Sequence, residues 1–206
     1  MNVRLRVALC LWLSGTACGP GAKQVVSVQD SVYRDDLLAR LKVDQAVRDS
    51  FTQDMRTLGW PSATTAARMA IVDSENTAWL RRRILTEGFP TPEQVGRDGV
   101  NAAYLLIQHS DADLEFQERV LPMIEAAYRR GTVDGRNLAL LTDRVLKARG
   151  LGQRYGTQTT TRGGQIVIDP IEDSSSVDDR RAMLGLAPLR EYKRLLDSIY
   201  APSVKR

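Results

Sequence analysis

Residues 91–117 read TPEQVGRDGVNAAYLLIQHSDADLEFQ, and this stretch decides the fold. Thr91 suits the N-cap of a helix, Pro92 suits its first position, and Gln94 can complete a capping box. Apolar residues then recur at helical spacing as far as His109, the only histidine of the chain. The polar residues that follow interrupt this pattern before a second apolar face begins. The sequence therefore predicts two helices joined by a short polar turn.

The flanking sequence continues the helical pattern in both directions. Glycine and proline punctuate it, and the predicted helices cover about residues 31–55, 63–87, 91–109, 112–130 and 136–149. The segments RYGTQTT and QIVID, joined by TRGG, then predict a β-hairpin. SSVDDRR begins a short helix, and APLREYKRLLDSIY forms a last one. The predicted fold class is mainly α, a single helical domain of about six or seven helices with one small β-hairpin late in the chain.

The N-terminus has the layout of a secretory signal. Arg4 and Arg6 precede an apolar run that is too short to span a bilayer as a mature helix. The sequence LSGTAC resembles the end of a bacterial lipoprotein signal, although Gly15 replaces the leucine that is usual three places before the cysteine. We therefore expect a signal peptide over 1–17, lipidation of Cys18, a tether over 18–30 and one domain over 31–206.

Charge and cysteine content exclude several classes of protein. The chain has 29 Lys and Arg against 25 Asp and Glu, and removal of residues 1–17 leaves an excess of only two bases. Proteins that bind nucleic acid normally have a strongly basic surface, and so small an excess of bases does not indicate one. The two cysteines are Cys10, inside the signal, and Cys18. With neither available in the domain, a disulfide, a cysteine nucleophile and a cysteine-based zinc site are excluded.

Three successive helices each place one polar side chain within an apolar face. Asp73 falls among the apolar positions of the second helix, His109 extends those of the third and Gln117 lies inside those of the fourth. The apolar face predicted for the second helix consists of Ala66, Met69, Ala70, Leu80 and Ile84. If neighbouring helices pack antiparallel, the three polar groups meet in one pocket.

A structural interpretation of the same residues remains open. A histidine in the last turn of a helix interacts favourably with the helix dipole, and Ser110 or Asp111 can cap the next helix with Asp113 completing the box. A divalent metal held by His109, Asp111 and Asp113 is a minority alternative, because these residues lack the spacing of established zinc motifs. We predict no cofactor.

Three motifs resemble those of a bacterial protein family. The motifs QH-x-D, YGTQ and PIED, in this order and spacing, resemble the family of unknown function DUF6624, and the resemblance covers about residues 40–192. It implies the domain boundaries but no activity. It directs attention to a set of polar residues and one glycine, namely His109, Gln117, Gln153, Tyr155, Gly156, Gln158, Glu172, Asp173 and Arg181.

The segment GQRYGTQ is dense in neutral hydrogen-bonding groups. We expect Gln153, Tyr155 and Gln158 to lie on a short strand, where they suit sugar hydroxyls or peptide amides better than phosphates. A strand that merely packs on the helices is the alternative. Glu172 and Asp173 follow in a loop, a common location for functional carboxylates. Arg181 pairs with them as a salt bridge or as a substrate clamp.

We rank three functions. The first is a binding or scaffold domain that recognises a glycan, peptide or protein through a polar groove around His109 and the YGTQ hairpin, with ligand-binding residues Gln117, Gln153, Tyr155, Gln158, Asp173 and Arg181. The second is an envelope hydrolase with catalytic residues His109, Asp73 and Glu172, in which His109 is the general acid or base and Asp73 or Glu172 orients it. The third is a purely structural lipoprotein.

The expected location is the bacterial cell envelope. The lipid on Cys18 anchors the chain to a membrane, with the domain on the periplasmic or outer-membrane face. A nucleic-acid partner is not expected.

Overall fold

The computed structural model describes residues 28–162 and 165–200, which form seven helices and one two-stranded antiparallel sheet. The mainly α fold with a late hairpin is confirmed. The helices are α1 (Ser31–Leu58), α2 (Ala63–Glu87), α3 (Pro92–Gln108), α4 (Leu114–Arg129), α5 (Gly135–Ala148), α6 (Val177–Met183) and α7 (Leu189–Tyr200). The strands are β1 (Thr159–Arg162) and β2 (Gln165–Ile168), paired so that Thr159 lies opposite Ile168.

Local capping explains where the helices begin and end. Asp30, Ser62 and Asp113 each accept a hydrogen bond from a backbone N–H in the first turn of α1, α2 and α4. At the start of α3, Gln94 Oε1 accepts from the backbone N–H of Thr91 at 3.0 Å. Each such bond satisfies a donor that the helix leaves without a partner. The boundaries predicted from local sequence are therefore close to those observed.

The core lies around α3, which packs against α1 and α2. Buried residues of α3 include Ala102, Ala103, Leu106 and Ile107, and the small alanines allow the neighbouring helices a close approach. The core continues on both sides of α3, with Leu37 from α1, Leu80 and Ile84 from α2, Phe116, Val120 and Ile124 from α4, and Leu141 from α5. Burial of these side chains is the main stabilising contribution to the fold.

The segment before α1 is attached to the start of α3. The backbone N–H of Gln29 donates to Glu93 O at 3.0 Å, and that of Asp30 donates to Gln94 O at 2.9 Å. The last residues assigned to the tether therefore form part of the folded domain. The predicted signal peptide and Cys18 lie outside the described residues. Among the described helices, none is both long and apolar enough to cross a bilayer.

Two expectations about local structure are wrong. In α2 the buried residues are Val72, Asn76, Leu80 and Ile84, whereas Ala66 and Ala70 are exposed. Ala66 and Ala70 instead border an open groove. The YGTQ segment is also not a strand. It forms a loop that precedes β1, and only Gln153 makes an isolated bridge, with Ile171.

Candidate functional site

The lone histidine contacts a buried carboxylate from another helix. Asp44, in α1, has a fully buried side chain, and both of its oxygens lie 3.0 Å from Nδ1 of His109, the residue that follows α3. The side chain of His109 is 16% exposed. This contact fixes the ring orientation and favours a proton on Nδ1, because the carboxylate can only accept when ionised. The lone pair of the neutral ring is then on Nε2.

Two further side chains surround Asp44 and connect it to Asp73. Gln45 Nε2 donates to Asp44 Oδ2 at 2.8 Å. Arg48 Nη1 lies 3.0 Å from Asp44 Oδ1, an ion pair without hydrogen-bond geometry. The other nitrogen of Arg48, Nη2, donates to Asp73 Oδ1 at 2.9 Å. Arg48 therefore bridges two aspartates, one buried and one partly exposed.

The two aspartates differ in their protonation behaviour. Burial acts to raise the pKa of Asp44, but the hydrogen bond and charge of His109, together with Arg48, outweigh it and hold the pKa of Asp44 below its usual value. At Asp73 burial prevails over the hydrogen bond from Arg48, so the pKa of Asp73 is raised. Asp44 is therefore the ionised partner of His109, whereas Asp73 binds a proton more readily than an ordinary aspartate.

His109 and Asp73 line an open groove with a volume of about 650 Å³. We name this cavity the His109 groove. One wall consists of α2 residues, including the apolar Ala66, Met69, Ala70 and Ala78, and the other of the turn between α3 and α4. Among the described residues, Nε2 of His109 has no protein hydrogen-bond partner, so the nitrogen opposite Asp44 is available to a ligand in the groove.

Buried polar side chains fix the backbone around His109. Gln117 Nε2 donates to Ile107 O at 3.0 Å, and Ser110 Oγ donates to Leu106 O at 3.0 Å. From α2, Thr77 Oγ1 donates to Ser110 Oγ at 2.9 Å. Gln117, which we expected to bind ligand, is 1% exposed and instead satisfies carbonyls at the end of α3. Its position explains why a glutamine lies within an apolar face.

Asp111 and Asp113 have arginine partners. Arg144 Nη1 lies 2.6 Å from Asp111 Oδ1, and Arg81 Nη1 lies 2.7 Å from Asp113 Oδ2. Asp113 also caps α4 by accepting from the backbone N–H of Phe116 at 3.0 Å. Over residues 28–162 and 165–200, no group of three or more histidine, cysteine or acidic side chains is arranged to hold a metal ion.

The YGTQ loop is held by a second buried carboxylate, Asp143 of α5. Its side chain is fully buried and accepts from the backbone N–H groups of Arg154, Tyr155 and Thr157 at 2.7–2.9 Å, and from Thr157 Oγ1 at 2.9 Å. A compact loop with several N–H groups turned inward needs such an acceptor. None of residues 152–158 lines the His109 groove.

The glutamines of this loop also have internal partners. Gln153 is fully buried, and its Nε2 donates to Gln158 O at 3.0 Å and to Asp169 O at 2.9 Å. Gln158 Nε2 lies 3.3 Å from Leu140 O. These side chains connect the loop to β2 and α5. The side-chain amides of Gln153 and Gln158, which suggested a sugar or peptide site, are thus hydrogen-bonded within the fold.

Glu172, Asp173 and Arg181 do not reach His109. Glu172 is exposed, and its backbone N–H donates to Gln153 O at 2.9 Å. Asp173 accepts from Ser175 and Ser176 before α6, and these bonds lower its pKa to about 2. Arg181 donates to Tyr155 O and Ala187 O, each at 2.7 Å. The expectation that Glu172 orients His109 is therefore corrected, because the carboxylate on Nδ1 is Asp44.

Comparison with known families identifies the chain. The model of the Family of unknown function (DUF6624) matches residues 31–205. The chain belongs to this family. Neither the comparison with curated proteins nor that with solved structures gives a match. Membership of DUF6624 thus supports the domain found here and assigns no activity to it.

Sequence reasoning missed Asp44, the central carboxylate of this DUF6624 chain. A signal was present, because Asp44 is spaced at helical intervals from Leu37, Leu41 and Val47 on the predicted apolar face of α1. Arg48 follows four residues later, which allows an ion pair on one helix face. An acidic residue within an apolar face, with an arginine one turn on, predicts a buried charged group that needs a partner elsewhere.

Proposed function

We propose that this DUF6624 protein is a hydrolase in which His109 acts as the general base and Asp44 orients it. The observation that supports the proposal is the contact of both Asp44 oxygens with Nδ1, on a ring whose other nitrogen is available to the His109 groove. A buried carboxylate on Nδ1 holds the imidazole in the tautomer that accepts a proton at Nε2, and it stabilises the imidazolium that results.

The reaction uses water as the nucleophile. His109 Nε2 takes one proton from water while the oxygen forms a bond to the electrophilic carbon of the substrate. The bond between that carbon and the leaving group then breaks, and His109 returns the proton to the leaving group. The hydroxyl group of the water is added to the electrophilic carbon and its proton is added to the leaving group, so no further co-reactant is required.

Asp73 is proposed to assist in the same groove. Its raised pKa allows the carboxyl group to hold a proton and to donate a hydrogen bond to substrate. Through Arg48 the same carboxyl is linked to Asp44, so a proton change at Asp73 alters the charge that His109 experiences. This is a different role from the ring orientation that we assigned to Asp73 from sequence.

The proposal includes an anchored location and a class of substrate. A lipid on Cys18 holds the domain at the bacterial envelope, where glycans and peptides are the available polymers. The His109 groove combines a polar end at His109, Asp73 and Thr77 with an apolar wall along α2. This arrangement suits an extended chain that carries both polar and small apolar groups, for which a peptide is a better fit than a bare sugar.

Recognition without catalysis ranked first from sequence, because the chain has an excess of neutral polar groups, those of YGTQ among them, and no recognised catalytic motif. The backbone N–H groups of Tyr155 and Thr157 and the side chains of Thr157 and Gln158 are instead hydrogen-bonded within the fold, and none of these residues lines the His109 groove. The groove that remains contains an oriented imidazole, which recognition alone does not require. Hydrolysis therefore becomes the preferred function, and binding without turnover is its alternative.

The test is hydrolysis by the full chain of a panel of chromogenic peptides, esters and glycosides. We expect turnover of at least one class, and we expect His109→Gln and Asp44→Asn to lower kcat/KM by about 10²-fold or more. Asp49→Asn is the matched control, because Asp49 is in the same helix as Asp44, is exposed and does not line the His109 groove. Its activity should stay within about threefold of wild type, since surface substitutions have small effects.

The same variants separate the two functions. If a peptide causes chemical-shift changes at His109 without any turnover, the protein is a binding domain and the hydrolase proposal fails. Turnover that survives His109→Gln unchanged contradicts the proposal equally. Because the chain has one histidine, its ring ¹⁵N signals are assigned without ambiguity, and they should report a proton on Nδ1 in the neutral form.

A further inference from the structure

A second pocket shares no lining residue with the His109 groove. It has a volume of about 470 Å³ and is bordered by α5, the loop after α6 and α7. We name it the α5–α7 pocket. Its walls include the apolar Leu186 and Leu195, and its polar groups include Arg136, Arg181 and Glu191. The volume is within the range of small-molecule sites.

Arg181 is a buried cation at this pocket. It is 3% exposed, and two of its five N–H groups donate to the carbonyls of Tyr155 and Ala187. Its guanidinium carbon lies 5.0 Å from the centre of the Tyr192 ring. Among the described residues no carboxylate forms an ion pair with Arg181. Buried charges in proteins are normally paired with a charge of opposite sign. Arg181 is therefore a buried cation without an anionic partner among the described residues.

Further observations favour an anion as that partner. Burial lowers the pKa of Arg181 below its ordinary value, which means that the surroundings only partly compensate the charge. A second arginine, Arg136, also lines the pocket and forms no ion pair within the described residues. The remaining walls are mostly leucine and alanine, which suit an apolar group. An acid with an apolar tail matches both kinds of surface.

We propose that the α5–α7 pocket binds a small amphipathic anion, with its acidic head at Arg181 and Arg136 and its apolar tail along Leu186 and Leu195. Carboxylate and phosphate heads share the required chemistry, since arginine binds either with two parallel hydrogen bonds. Glu191 also borders the pocket and is exposed. Its negative charge should repel an anionic ligand. A substitution that removes this charge therefore tests whether the ligand is an anion.

The experiment is calorimetric titration of the full chain with octanoate, octyl phosphate, 1-octanol and octylammonium. We expect the two anions to bind about tenfold more tightly than the neutral and cationic analogues. The tighter of the two anions identifies the head group. Equal affinity for octanoate and 1-octanol, or no binding of either anion, overturns the proposal.

Variants at exposed residues test the site without endangering the fold. Arg136→Gln should weaken binding of octanoate, whereas Glu191→Gln should strengthen it, because the first removes an attractive charge and the second a repulsive one. Loss of affinity in Glu191→Gln contradicts the assignment. His109→Gln should leave octanoate binding unchanged, so this pocket is tested independently of the proposed hydrolase.

Discussion

Asp44 and His109 are separated by 65 positions in the sequence, yet both oxygens of the Asp44 carboxylate lie 3.0 Å from Nδ1 of the imidazole. The contact joins the middle of α1 to the end of α3. Because the side chain of Asp44 is fully buried, its charge has only the groups described here to stabilise it. The pair is therefore both a candidate catalytic element and a contributor to stability.

The first prediction concerns the coupling within this pair. Asp44→Asn should lower the free energy of unfolding by about 3 kcal/mol, because it removes the buried negative charge that pairs with Arg48 and one of the two oxygens that contact His109. His109→Ala should lower it by about 1–2 kcal/mol, since Gln45 and Arg48 remain with Asp44. Urea unfolding of both single variants and the double variant should give a coupling energy of about 1 kcal/mol or more.

Asp111→Asn is the control for this cycle. Its carboxylate is largely exposed and forms an ion pair with Arg144, so the substitution should change the free energy of unfolding by no more than about 0.5 kcal/mol. Additive effects of the two main substitutions would show that the contact between Asp44 and His109 contributes no stability.

The second prediction concerns acid stability. The pKa of Asp44 is lower in the folded protein than its usual value of about 4, so the unfolded chain binds this proton more tightly. Its contribution is complete above the unfolded pKa and is lost as pH falls through the folded pKa. Unfolding in urea between about pH 2 and 6 should show a shallower rise of stability with pH in Asp44→Asn than in wild type. Parallel curves would contradict the assignment.

The third prediction concerns Asp73, whose pKa is shifted in the opposite direction to that of Asp44. The pKa of Asp73 is raised in the fold, so the folded state binds this proton more tightly, and the contribution of Asp73 to stability falls as pH rises through its folded pKa. Asp73→Asn removes the unfavourable charge and should raise the free energy of unfolding at neutral pH by up to about 1 kcal/mol. A loss above about 1 kcal/mol would mean that the pairing with Arg48 outweighs burial.

The fourth prediction concerns the YGTQ loop. Asp143→Asn places an amide where four donors converge, and an amide nitrogen cannot accept their hydrogen bonds. We expect a loss of about 2–4 kcal/mol in the free energy of unfolding, because buried donors are left without partners. Asp134→Asn is the matched control, since Asp134 is exposed and makes no side-chain capping bond. Similar losses in both variants would show that the Asp143 contacts are not decisive.

Local sequence was sufficient for most of the fold. The capping box of Thr91 and Gln94 acts within one helical turn, so spacing alone predicted it. The cap of α4 was placed too early, because Ser110 or Asp111 was expected there and the structure has Asp113. Chain order and helical period therefore predicted the number and type of elements. The burial pattern of α2 was not accessible in this way, because Ala66 and Ala70 have the composition of a core face but border an open groove.

The candidate site was predicted only in part. The position of His109 at the end of α3 follows from period, and Asp73 does lie near it in the same groove. The identity of its partner depends on how α1 packs against α3, which is a contact between distant segments. For the YGTQ loop, β-prone residues suggested a strand. The buried Asp143 overrides that propensity by offering four hydrogen bonds to a different backbone path.

The attachment of Gln29 and Asp30 to the first turn of α3 fixes where the described chain enters the domain. The chain enters the domain beside one end of this helix, and His109 follows the other end. Beyond Gly96, whose φ and ψ interrupt the helix, α3 continues to Gln108, a rise of roughly 18 Å at 1.5 Å per residue. The groove at His109 therefore lies at the end of α3 opposite to the point where Gln29 and Asp30 join the domain.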